Sequence, residues 1–213
     1  MKKNKKGFTL VELLAVITIV SVFMSFLFPL GRKMVFKSQL AKDIHNLRQI
    51  ALSYLSCAQD ANVFRELNNV ASFQKWAAVL ANNGGINDPN CYVSTQDNQM
   101  IPKRIIGTNQ DILADFKELQ LSWVVIRGVP TNVPLETTPL LYSKGLNIQT
   151  GEWEEDSLYG KQGGLVAYMD GHVQFYKNLK EQLIHFKTGT VVSDLRDAIP
   201  KNLHAYDTYH QVW

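Results

Sequence analysis

The sequence predicts an α+β chain, with one long N-terminal helix packed on a C-terminal domain built around an antiparallel sheet. Three observations carry that expectation. Residues 8–30 form an apolar run broken by a single charge, and residues 31–60 keep apolar side chains at helical spacing. Four short apolar segments, 121–128, 138–145, 163–169 and 172–178, then crowd into one region. Asp170-Gly171 separates the last two, and an Asp-Gly pair between apolar runs is a strong hairpin signal, through a type I′ turn with positive φ at both positions. Helix first and clustered strands after is the order of an α+β domain.

The first element needs the closest reading. Lys2, Lys3, Lys5 and Lys6 precede Gly7, and the apolar run begins at Phe8 and ends at Leu30. At about 1.5 Å per residue such a run crosses a hydrocarbon layer of roughly 30 Å. Its one charge, Glu12, lies near the start, where the cost of placing a carboxylate in lipid is smaller than at mid-span. A cleaved secretory signal needs a small-x-small site after its core, and Phe28-Pro29-Leu30-Gly31-Arg32 offers none. An uncleaved anchor fits the basic flank, which stays cytoplasmic, but leaves Gly7 and Glu12 without a role.

The string KGFTLVELL, residues 6–14, resembles the class III signal of type IV prepilins and type II secretion pseudopilins. The resemblance implies a ladle-shaped, pilin-like fold and a defined processing route. A prepilin peptidase cuts after Gly7, and the new N-terminal residue, Phe8, is N-methylated. Glu12 matches the carboxylate thought to pair with the N-terminal amine of a neighbouring subunit during assembly. A buried carboxylate needs such an opposite charge to offset its desolvation. Pro29 falls where many pilins carry a helix-kinking proline. Residues 138–178, which include the string DGHV at 170–173, also resemble a subfamily of bacterial pilin-like proteins.

Composition bounds the rest. The 213 residues suit a leader (1–7), an apolar helix (8–30), its amphipathic continuation (31–60) and one globular domain (61–213) with its sheet at about 121–178. The formal charge of +3 counts the four leader lysines, so cleavage after Gly7 would leave −1, and the basic balance gives no support to nucleic-acid binding. Two cysteines, Cys57 and Cys91, face an oxidising compartment if the domain lies outside the cytoplasm. They read either as a disulfide tying the helix to the following region or as two separate buried thiols.

From Phe36 to Ala58 the apolar stripe runs through Leu40, Ile44, Leu47, Ala51, Tyr54 and Leu55, with Asp43 assigned to a polar face. Pro29 and Gly31 suggest a kink or melted turn, and the helix is expected to end near Asp60. Residues 61–71 read as irregular. Residues 72–82 read as a short helix capped by Ser72 and stopped by Asn83-Gly84-Gly85. Residues 111–119 read as another short helix, the stretch 180–189 as a helical turn, and residues 193–200 as a helix capped by Ser193 and closed by Pro200. The aromatic-rich end, 204–213, is expected to pack on the domain or to touch a neighbouring subunit.

Candidate chemistry is sparse. Asp170 and His172 could suggest catalysis, but the turn accounts for Asp170, and no nucleophile stands with a base at diagnostic spacing. No catalytic residue is therefore assigned. Glu152, Glu154, Glu155 and Asp156 could offer oxygen ligands to calcium, or form a solvated acidic loop; no EF-hand spacing is present. The expected role is a structural filament subunit in the inner membrane, its domain periplasmic or at the cell surface, with the prepilin peptidase and other pilin or pseudopilin subunits as partners. The alternative is an anchored extracytoplasmic binding module that does not polymerise.

Overall fold

The computed structural model describes residues 10–200 and 204–206. The chain forms two units, Met1–Ala41 and Lys42–Trp213. A single helix, α1 (Leu10–Cys57), begins in the first and ends in the second. It runs through Pro29 and Gly31 without interruption, so the expected melted turn is not formed. It stops three residues short of Asp60, because Asp60 belongs to the next element. Its carboxylate accepts from the Asn62 and Val63 N–H groups at 2.7 and 3.2 Å, which caps α2 (Ala61–Asn69). That helix replaces the irregular stretch expected there.

In the second unit, α1 buries Asp43, Asn46, Leu47, Ile50, Ala51, Tyr54 and Cys57. The steps of three and four residues place all seven on one face. Asp43 therefore lies on the buried face rather than the polar one, as a correction to the sequence reading. Tyr54 stacks on Trp76 with centroids 5.6 Å apart, and its hydroxyl donates to the Val129 carbonyl at 2.6 Å. Trp76 belongs to α3 (Phe73–Asn82), which Ser72 caps through the Lys75 N–H. Edge-on ring contacts continue from Trp76 to Phe73, Tyr92 and Phe116, the last in α4 (Ala114–Lys117). Each such pair adds about 0.5–1.5 kcal/mol to what burial alone gives.

The main sheet contains β1 (Trp123–Arg127), β2 (Pro139–Ser143), β5 (Gly164–Tyr168), β6 (Val173–Tyr176) and β9 (His204–Tyr206), in the order β6-β5-β2-β1-β9. Every pairing is antiparallel. Two small hairpins, β3 (Leu146–Asn147) with β4 (Glu152–Trp153) and β7 (Leu183–Ile184) with β8 (Val191–Val192), complete the set. All five residues of β2 and of β5 are buried, as befits central strands.

The Asp170-Gly171 hairpin forms, but by a different turn. Gly171 N–H donates to Tyr168 O and Tyr168 N–H to His172 O, both at 3.0 Å, which encloses the three-residue loop Met169-Asp170-Gly171. Only Gly171 has a positive φ, +87°, so this is a turn closed by a left-handed glycine, not type I′. The stretch read as a helical turn is β7 and its loop, where the His185 ring accepts from the Lys187 and Thr188 N–H groups. The helix expected at 193–200 shrinks to one 3₁₀ turn, Leu195–Asp197, capped by Asp194 rather than Ser193. Of the C-terminal stretch, His204–Tyr206 adds the fifth strand beside β1; residues 207–213 lie outside the described residues.

Gly164 marks a tight place in this core. A Cβ there would overlap the Trp153 indole and the Ser143 hydroxyl. Trp153 Nε1 donates to that hydroxyl at 3.0 Å, and the hydroxyl also accepts from Leu165 N–H at 3.1 Å. Gly164→Ala should lower the unfolding free energy by about 1–3 kcal/mol, read as an earlier urea midpoint in tryptophan fluorescence. An unchanged midpoint would show that the indole is not confined as described.

Candidate functional site

In the first unit, every side chain described from Leu10 to Phe28 is exposed. Among the described residues, the large apolar side chains left exposed are those between Leu10 and Val35, plus Leu52, Met100 and Val191. Three hydroxyls within the described part of the apolar run turn inward. Thr18 donates to Ala15 O at 2.8 Å, Ser21 to Ile17 O and Ser25 to Val22 O, both at 2.7 Å. With these bonds made, the segment presents little unsatisfied polarity to a lipid environment. The helix is long and apolar enough to cross a membrane.

Glu12 sits in the first turn of α1 and is exposed. An acid there faces the free N–H groups and positive end of the helix. Gly7 and Phe8, the expected cleavage and methylation positions, lie outside the described residues, as do the four leader lysines.

The remaining candidates fall in the second unit. Cys57 and Cys91 are free and buried, and each has its own partner: Cys57 Sγ lies 3.5 Å from Asn83 O and Cys91 Sγ 3.4 Å from Gln49 Oε1. Burial pushes the Cys91 thiol up to about 11, which suppresses the reactive thiolate. His172 Nδ1 lies 2.6 Å from Asp170 Oδ1, which also accepts the His172 backbone N–H at 2.9 Å. The imidazole stacks on Tyr168 with centroids 4.1 Å apart. The pair thus fastens the hairpin turn. In the acidic loop, Glu152 pairs with Lys180 at 2.5 Å, and Glu155 pairs with Lys161. The Lys180 hydrogen bond and charge hold the Glu152 carboxyl below its usual range. Among the described residues, no three His, Cys, Asp or Glu side chains converge as a metal site.

The polar centre that sequence reading missed is Asp43. It is fully buried, and its Oδ2 accepts from Ser94 Oγ at 2.5 Å and from the Tyr159 hydroxyl at 2.7 Å. Ser94 N–H donates to Ser122 Oγ at 2.7 Å, and Ser122 Oγ donates to Asp97. Asp97 takes the buried Lys144 ammonium on both oxygens, at 2.6 and 2.7 Å. Desolvation raises the Asp43 pKa against the opposing effect of its donors. A recurrence of three and four residues from Leu47 back to Asp43 was the available signal, but an acid at that place ordinarily reads as solvent-facing.

A raised native pKa means that folded Asp43 holds its proton more tightly than the unfolded chain does. Stability from this group is therefore greatest below about 3.8, its unfolded value, and falls as pH rises through the raised native value. Asp43→Asn keeps one oxygen acceptor and removes the titration. Its urea midpoints from pH 4 to 8 should decline less than those of the natural chain. Equal slopes would remove Asp43 from the pH dependence.

Among known families, the model of the prokaryotic N-terminal methylation motif matches residues 2–28. No curated protein and no solved structure matches the chain. The matched span covers the basic flank, Gly7, Phe8, Glu12 and most of the exposed apolar helix. The chain therefore carries the class III signal of type IV prepilins and pseudopilins, followed by a long apolar helix and an antiparallel sheet in a pilin-like α+β arrangement.

Proposed function

We propose that this chain is a structural subunit of a type IV pilus-like or type II secretion pseudopilus filament. It is made as a prepilin, cut by prepilin peptidase after Gly7, N-methylated at Phe8 and assembled through the apolar part of α1. The observation that carries this reading is the coincidence of the methylation motif at 2–28 with a helix whose apolar side chains are exposed from Leu10 onward. Before assembly the bilayer covers that surface; in the filament, the same segment of neighbouring subunits does. Each large side chain so covered is worth about 1.5–3 kcal/mol relative to water.

Glu12 supplies the assembly chemistry in this reading. Cleavage creates a cationic amine at Phe8, four residues before the carboxylate. When subunits pack, the Glu12 of one offsets the amine of the next, and each relieves the other's desolvation. The positive-inside rule sets the lysine-rich leader in the cytoplasm. The domain then lies beyond the inner membrane, in the periplasm or at the cell surface. The peptidase and other pilin or pseudopilin subunits are the partners, and the covalent steps belong to the processing enzyme. Buried, weakly acidic thiols suit an oxidising compartment, because burial limits their reaction.

Two measurements test this. Intact mass and N-terminal sequencing of chain extracted from cells with active peptidase should find N-methylated Phe8 as the first residue. A chain still carrying residues 1–7 would favour an anchored binding module instead. Glu12→Ala should reduce filament yield by roughly tenfold or more, since it leaves an unpaired charge at the packed interface, while the domain's urea midpoint stays unchanged. Normal filament yield would end the role assigned to Glu12.

A further inference from the structure

The basic residues just beyond the apolar run have no place in the processing signal. Arg32, Lys33 and Lys37 are all exposed on α1. No acidic residue occurs between Glu12 and Asp43. Among the described residues, no ion pair involves any of the three. The Arg32 guanidinium lies 4.6 Å from the centre of the exposed Phe28 ring, a cation–π contact made toward the apolar run. Exposed Met34 and Val35 interrupt the cations. Aromatic and aliphatic surface mixed with long cationic side chains is the composition of a membrane interface.

The vertical spacing fits as well. From Leu30, Arg32 and Lys33 lie about 3 and 4.5 Å along the axis, and Lys37 about 10 Å, at 1.5 Å per residue. The polar headgroup layer on each side of a bilayer is roughly 5–8 Å thick. Helical side chains lean toward the N-terminus, here toward the apolar run, so the Lys37 stem brings its ammonium back into that layer. These cations also oppose the orientation bias set by the four leader lysines, because cationic residues disfavour the translocated flank. Their presence there calls for a compensating anion.

We infer that Arg32, Lys33 and Lys37 form a collar that binds the phosphate groups of anionic lipids at the C-terminal end of the apolar run. The inference rests on the reading of α1 as a membrane helix. In the proposed orientation the bound headgroups belong to the leaflet facing the domain. The collar holds the unassembled subunit at a fixed depth, and its lipid contacts must be released when the segment leaves the bilayer for a filament.

The test uses the full chain in detergent micelles containing equal amounts of phosphatidylglycerol and phosphatidylcholine, with bound lipid read by native mass spectrometry. Three chains are compared: the natural one, the triple variant Arg32→Gln, Lys33→Gln, Lys37→Gln, and the charge-preserving triple Arg32→Lys, Lys33→Arg, Lys37→Arg. The leader lysines are common to all three, so differences report on the collar. The natural and charge-preserving chains should retain phosphatidylglycerol preferentially. The glutamine variant should lose that preference, by up to about fivefold for each charge removed. Equal preference in the glutamine variant overturns the proposal, whether the collar then meets an acidic face of another subunit or nothing at all. Loss of the preference on adding inorganic phosphate, beyond that caused by chloride of equal ionic strength, also overturns it in favour of free phosphate. Flotation of the same chains with neutral phosphatidylcholine vesicles after an alkaline carbonate wash reads membrane insertion separately. Failure of all three to float refutes the membrane reading and the collar with it, whereas flotation without lipid preference refutes the collar alone.

Discussion

In a bilayer core, each backbone N–H and C=O must find its partner within the segment that carries it, because no water is there to substitute. Much of this chain follows from that constraint. A helix satisfies it everywhere except at a proline, which has no N–H to give the carbonyl four residues before it, and α1 remains a helix through Pro29 and Gly31. Thr18, Ser21 and Ser25 meet it by bonding to carbonyls within their own segment. Beyond the apolar run the demand changes. From Asp43 onward the helix buries one face only, and its composition changes accordingly, from apolar all round to apolar on one side.

That change explains what could be read from the sequence. A run of apolar residues and a three-four periodicity are local signals, and both identify α1. The central strands were equally legible, because β2 and β5 are buried on both faces and read as continuous apolar segments. Elements of two residues were not. β3, β4, β7 and β8 have too little length to show a period, and their pairing depends on turns such as the one around His185. The start of α2 was hidden for another reason. Asp60 caps it while standing only three residues beyond the end of α1, so the cap read as the end of the first helix and what followed as irregular.

Asp43 shows the limit of reading charge from periodicity. The sequence places an acid at a position of the buried face, and the ordinary expectation moves it to solvent. The outcome depends on Ser94 and Tyr159, 51 and 116 residues away in sequence, which donate to its carboxylate. Long-range hydrogen bonds of this kind leave no local trace. They do have a structural consequence. A stripe of Leu47, Ile50 and Ala51 would tolerate displacement by one turn far better than a buried carboxylate would, because apolar contacts are less directional than hydrogen bonds. The Asp43 bonds, with the Tyr54 hydroxyl bond to Val129 O, thus favour one register where apolar packing alone would distinguish registers weakly.

The same accounting bears on the candidate chemistry. In the domain, the residues that could suggest chemistry already have structural partners. Asp170 and His172 fasten a turn, Glu152 and Glu155 are paired with lysines, and the thiols are buried. The large exposed apolar surface among the described residues runs from Leu10 to Val35. Water is a poor solvent for so large a continuous patch, and exposed apolar areas of that kind mark membrane or protein contacts. The methylation motif at residues 2–28 adjoins that surface and overlaps most of it. Among the described residues, the one large exposed apolar surface is thus the segment that carries the methylation motif.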